Sequence, residues 1–124
     1  MERGYYKLWR CWFNDSVFKD PFLWKIFCWS WKKTNHKPEW ILWKTGRGST
    51  TVKVERGSFI FGRFSAAKEL DMTASSVYKR IRKLQTLGKL SIKGNRHYSI
   101  ITMANYEVFQ PEKQDEVTGK VTGK

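Results

Sequence analysis

Between Ala74 and Leu84 the chain carries four basic residues, Lys79, Arg80, Arg82 and Lys83, and no acid. The spacing of Val77, Ile81 and Leu84 predicts a helix with one apolar face, which leaves Ser75, Ser76, Tyr78, Lys79 and Arg82 on the outer face. An ordinary solvated helix face mixes acids and bases at i,i+4, and that decoration is missing here. Cations and small hydroxyls on one face are the chemistry of polyanion recognition. Lys and Arg neutralise phosphates, and short Ser side chains near the helix start permit close approach to base edges. Thr73 stands just ahead as a cap, and Lys83 adds a further cation. A second basic group, Lys93, Arg96 and His97, surrounds Gly94-Asn95. Thr73, Ser75, Ser76, Tyr78, Lys79, Arg82, Lys83, Lys93, Arg96 and His97 are therefore the candidate contacts to double-stranded DNA. Arg63 and Lys68, just upstream, are secondary candidates.

Other chemistries find little support in the residue types. No set of acid, base and nucleophile is assembled, so the reading is of a protein that is not an enzyme and needs no cofactor. Cys11, Cys28, His36 and His97 fit no zinc-ligand spacing, and no metal site is expected. Gly46-Arg47-Gly48-Ser49-Thr50 lacks the Lys-Ser/Thr ending of a phosphate loop and reads as a turn. Both cysteines sit in apolar runs, which predicts buried, reduced thiols and a cytoplasmic setting.

These groups need elements to hold them. Tyr5, Leu8, Trp9, Trp12 and Phe13 fall at i, i+3, i+4, i+7, i+8 and predict an amphipathic helix. Asp20-Pro21 starts a helix that runs to about Lys33. Trp40–Trp43 and Thr51–Val54 read as a hairpin, and Phe59–Phe61 as a short strand. Ser65 caps a short helix, Ala66–Leu70; Asp71-Met72-Thr73 turns the chain; a longer helix, Ala74–Leu87, follows, with Gly88 as its C′ residue. Lys89–Ile92 and His97–Thr102 alternate as a second hairpin.

The fold class is thus α+β: a winged helix-turn-helix with an added N-terminal helix and an extra β-hairpin. The domain spans about residues 1–110, the helix-turn-helix about 65–87 and the wing about 89–103. Residues 111–124 are polar, repeat Val-Thr-Gly-Lys and read as a disordered tail.

Charge agrees with this division. The chain of 124 residues has a net charge of +13. Residues 1–62 carry +7, residues 63–98 another +7 in little more than half the length, and residues 99–124 carry −1. A charge this large repels itself unless an anionic partner compensates it. No apolar run approaches the roughly 20 residues a membrane span needs, so no membrane partner is expected. Aromatic residues are the other departure: 13 of the 39 residues from Tyr5 to Trp43 are Phe, Trp or Tyr. Core packing, an interface and stacking on single-stranded DNA are all uses for them. Trp40 and Trp43 on one strand point to a homodimer interface.

Several segments carry a resemblance. Gly4-Tyr5-Tyr6-Lys7-Leu8, Phe18-Lys19-Asp20-Pro21, Ala66-Ala67-Lys68-Glu69-Leu70, Leu84-Gln85-Thr86-Leu87-Gly88, Tyr98–Thr102 and Asn105–Gln110 together resemble the N-terminal domain of phage replisome organisers and DnaD-like replication proteins. The resemblance implies a winged helix that binds a replication origin and, in that family, recruitment of a helicase loader. The residues themselves also suit a phage transcriptional repressor, or a protein-binding winged helix that inhibits a nucleic-acid enzyme.

Overall fold

The computed structural model describes residues 6–44, 47–94 and 98–111. Tyr5, the first hairpin's tip at Thr45-Gly46, the second tip including Arg96 and His97, and the tail from residue 112 lie outside the described residues. The chain is a mixed α+β fold, as its pattern predicts. A 3₁₀ turn, Arg10–Asn14, leads into α1 (Ser16–Lys19) and α2 (Pro21–Lys33). Strands β1 (Glu39–Lys44), β2 (Ser49–Val54) and β3 (Ser58–Phe61) precede α3 (Arg63–Leu70) and α4 (Ala74–Thr86). Strands β4 (Leu90–Gly94) and β5 (Ser99–Met103) and a last turn of helix, α5 (Tyr106–Phe109), follow.

Helix α2 organises the core. The Asp20 carboxylate accepts from the N–H groups of Phe22 and Leu23 at 3.0 and 3.2 Å, and Pro21 fills the first helical position, where no donor is needed. Leu23, Ile26, Phe27, Ser30 and Trp31 are buried. Ser30 satisfies its buried hydroxyl by donating to the Ile26 carbonyl at 2.8 Å. Trp31 stacks on Trp12 with ring centroids 5.0 Å apart, and Phe27 meets Trp12 edge-on at the same distance. On this base sits an antiparallel sheet in the order β3-β5-β4. Its inward residues Phe59, Phe61, Leu90, Ile101 and Met103 join the same cluster.

Polar ties close the ends of the chain. Lys7 N–H donates to Gln110 Oε1 and Gln110 Nε2 donates to the Lys7 carbonyl, both at 2.8 Å. Arg56 lies over the Tyr106 ring, pairs with Glu107 at 2.6 Å and donates to the Gln110 carbonyl at 2.9 Å. Gly57 must lack a side chain. Its φ is +81°, and a Cβ would lie 2.8 Å from Tyr106 Cγ.

Three expectations need correction. The stripe beginning at Tyr5 forms no amphipathic helix over its described part. Only a 3₁₀ turn appears, Trp12 alone is buried within it, and Leu8, Trp9 and Phe13 stay exposed. The Trp9 indole is used instead as a donor, to the Phe109 carbonyl at 2.7 Å. Asp15 separates the 3₁₀ turn from α1 and caps the helix, its carboxylate accepting from Val17 N–H at 3.0 Å. Helix α3 begins at Arg63 behind Gly62, so Ser65 lies inside the helix and caps nothing. Finally, Cys11 is exposed and Cys28 half-buried. Apolar neighbours in sequence do not bury a residue that a 3₁₀ turn rotates outward.

The Asp15 carboxylate also pairs with Lys89, so it ties α1 to the turn between α4 and β4. Burial pushes its carboxyl up, but the hydrogen bonds from Lys89 and from Val17 N–H, with the Lys89 charge, outweigh this and hold it below the usual 3.8. Because the folded value is lowered, the stabilisation is complete above the ordinary carboxyl value and is lost as pH falls through the folded one. Asp15→Ala should therefore cost about 1–2 kcal/mol near neutral pH, the usual range for a lost cap with a charged partner. Urea unfolding of both proteins should show that gap close in acid; a gap independent of pH would refute the assignment. The thiols give a second check: native protein should label quickly at one cysteine only, and Cys11→Ser should remove that phase.

Candidate nucleic-acid interface

Helix α4 is built as two faces. Val77, Ile81 and Leu84 are each 0% exposed, at i, i+4 and i+7. Ser75, Tyr78, Lys79, Arg82, Lys83 and Thr86 recur at i, i+3, i+4, i+7, i+8 and i+11, and all are exposed. Thr73 caps the helix by accepting from Ser76 N–H at 3.2 Å, as its position predicts. At the other end Leu87 is the C-cap, and Gly88 follows with φ +78°. The buried seam fixes the rotation of the helix about its axis, and so fixes where the cations point.

The exposed face has internal order. Arg82 Nη1 donates to Tyr78 Oη at 3.1 Å, and its guanidinium lies 5.8 Å from the Tyr78 ring. From the start of α3, the Arg63 guanidinium lies 5.6 Å from the same ring and 5.2 Å from that of Phe64. Tyr78 thus sits against two arginines from two helices, each able to present further N–H groups outward. Phe64, 70% exposed, stands beside them. It escaped the sequence reading because it occupies the first turn of a helix expected to start later. Lys79 and Lys83 flank the cluster along α4, while Lys68 is exposed in the last turn of α3.

Two residues behave differently from expectation. Ser76 is half-buried, and its hydroxyl accepts from Arg80 Nη1 at 2.5 Å, so it faces its own helix and not outward. Arg80, the basic residue absent from the predicted contacts, is half-buried with its guanidinium 5.3 Å from the Phe22 ring. It clamps α4 to α2. The helical position of residue 80, between the apolar seam and the outer stripe, was the available signal.

The second basic group is only partly visible. Lys93 is exposed on β4, opposite Ile100 of β5. Arg96 and His97 lie outside the described residues. Trp40 and Trp43 lie three residues apart on β1, so strand alternation puts them on opposite faces. Trp43 turns inward, where its ring would be 3.0 Å from a Cβ on Gly62, and with Trp29, Ile41 and Phe59 it lines a cavity of about 200 Å³. Trp40 turns outward and is 66% exposed. The two tryptophans therefore lie on opposite faces of the hairpin, and Trp43 packs against its own chain.

The one acid of α3 is occupied. Glu69 accepts from the Trp29 indole at 2.9 Å and pairs with Lys33 at 3.1 Å, and these contacts hold its carboxyl below the usual range. Among the described residues no three His, Cys, Asp or Glu side chains gather as a metal site, and no helix is long and apolar enough to cross a membrane. No family model, curated protein or solved structure matches the chain.

Proposed function

We propose that this chain is a DNA-binding module that reads duplex DNA with α4, and that it belongs to the machinery that starts replication of a phage-type genome. The observation that carries the first part is the acid-free stripe of α4, held outward by a fully buried opposite face. A helix of this width fits the major groove, where its N-terminal residues meet base edges and its cations meet phosphates. On this reading Ser75, Tyr78, Lys79 and Arg82 take the first task, and Lys83, Arg63 and the strand residue Lys93 take the second.

The element order supports a winged helix-turn-helix. Helix α3, three turn residues, α4 and the β4–β5 hairpin follow one another, and β3 pairs with β5 to complete a small sheet. On this reading β4–β5 is the wing, and α1, α2 and β1–β2 are additions to it. The replication assignment, and with it a helicase loader as a protein partner, rests on the resemblance of the opening, α3, α4 and closing segments to replisome organisers.

Duplex affinity should be strongly salt-dependent. If about five to seven phosphates are contacted, log affinity should fall with log salt at a slope near −0.9 for each. A mobility-shift series across salt concentrations measures this, and a flat response would refute electrostatic binding. Lys79→Ala and Arg82→Ala should each weaken binding by about 1–3 kcal/mol if they read base edges. Both side chains are exposed, so folding should be unaffected. Unchanged affinity in both variants would move the binding face away from α4.

A further inference from the structure

The outward face of the β1–β2 hairpin is left unused by α4-mediated duplex binding. Trp40, Leu42 and Lys44 alternate onto that face. The register sets Lys53 opposite Trp40, Thr51 opposite Leu42 and Ser49 opposite Lys44. Trp40 is 66% and Leu42 67% exposed. Such side chains ordinarily retreat into a core, and on this hairpin their neighbours do: Val52 and Val54 on the inward face are buried. Cations bracket the apolar pair, with Lys44 at one end, Lys53 beside Trp40 and Arg47 exposed in the connecting turn. Two acids lie near the Trp40 end: Glu39, exposed at the start of β1, and Glu55, just beyond β2, which reaches Lys53 at 3.8 Å.

We infer that this face binds single-stranded nucleic acid, with Trp40 as the stacking platform for an unpaired base and Leu42 as its apolar neighbour. Lys44, Lys53 and Arg47 then hold the flanking phosphates. Charge and shape select this occupant. A second copy of the chain would bring another +13 against a face already basic. A duplex hides the faces of its bases, so a flat exposed indole gains nothing from it, whereas every unpaired base offers a π-face. The hairpin is also a two-stranded ribbon separate from the β3-β5-β4 sheet, so a strand can lie along its outward face without disturbing the core. The inference goes beyond duplex binding and uses none of the α4 residues. A molecule with both faces would hold paired and unpaired DNA together, as at a locally opened duplex.

The test compares fluorescence anisotropy of a labelled oligothymidylate of about 20 nucleotides, roughly the span of one or two single-strand sites, with that of a duplex of equal length. The full chain is used, with variants Trp40→Ala, Trp40→Phe and Arg82→Ala, each checked for native circular dichroism. Trp40→Ala should weaken oligothymidylate binding about 10-fold, the scale of one lost stack, while Trp40→Phe retains most of it. Duplex affinity should not change in either. Arg82→Ala should do the reverse. Oligothymidylate binding that is absent, or indifferent to Trp40→Ala, overturns the inference and leaves the duplex reading intact. Loss of duplex binding in the unsubstituted protein would instead refute that reading alone. Light scattering supplies the remaining outcome: a dimer mass that Trp40→Ala converts to monomer would assign the face to a second copy and overturn the inference.

Discussion

Everything in this molecule turns on the burial of Val77, Ile81 and Leu84. Each is withdrawn completely from solvent against the α2 core and the sheet, and burial of such side chains is worth about 1.5–3 kcal/mol apiece. Three apolar residues at i, i+4 and i+7 leave a helix no rotational freedom. The cations on the opposite side are thereby aimed before any partner arrives. Side chains held in advance lose less entropy on binding, so their contacts yield more affinity. Arg80 reinforces the seam from its edge by lying across Phe22, and Thr73 fixes the start of the helix.

The aromatic front explains why so small a chain can hold this helix firmly. Trp12, Phe27, Trp31, Tyr106 and Phe109 touch one another in stacked and edge-on pairs, with centroids 5.0 to 6.1 Å apart. They join the N-terminal turn, α2 and α5 into one apolar body. Ionic ties then lie across the joins: Asp15 with Lys89, Glu69 with Lys33, and Arg56 with Glu107. These contacts engage three of the chain's few acids within the fold. Much of the positive charge elsewhere is left without internal compensation, which is the electrostatic condition for attracting a polyanion.

Where sequence pattern was strong, it was sufficient. Helix α2 starts and stops where Asp20-Pro21 and the lysines of its last turn indicate, and α4 buries the three residues its period selects. Both hairpins appear on the runs that alternation selects, but Ser49-Thr50 and Lys93-Gly94, read as turn residues, belong to β2 and β4. The misreadings share a cause. From Tyr5 to Phe13 the apolar spacing suits a helix, yet among the described residues no side chain caps the 3₁₀ turn, and Trp9 bonds to Phe109, a hundred residues away. Long-range contacts of that kind leave no local period. Trp40 and Trp43 were grouped because both are apolar and close in sequence; parity along a strand separates them. Arg80 counted simply as charge, but its aromatic partner Phe22 sits on another helix. The outer stripe of α4 was legible, while the Arg63–Tyr78–Arg82 arrangement needed the packing of α3 on α4 to appear.

The central claim is that the outer face of α4 is where duplex DNA lies. Backbone amide shifts followed by NMR during titration with a short duplex test it residue by residue. The largest changes should fall on residues 73–83 and on Arg63 and Phe64, while the amides of β1 and β2 barely move. Shifts that spread evenly over the basic surface, or that gather away from α4 while its amides stay still, would contradict it.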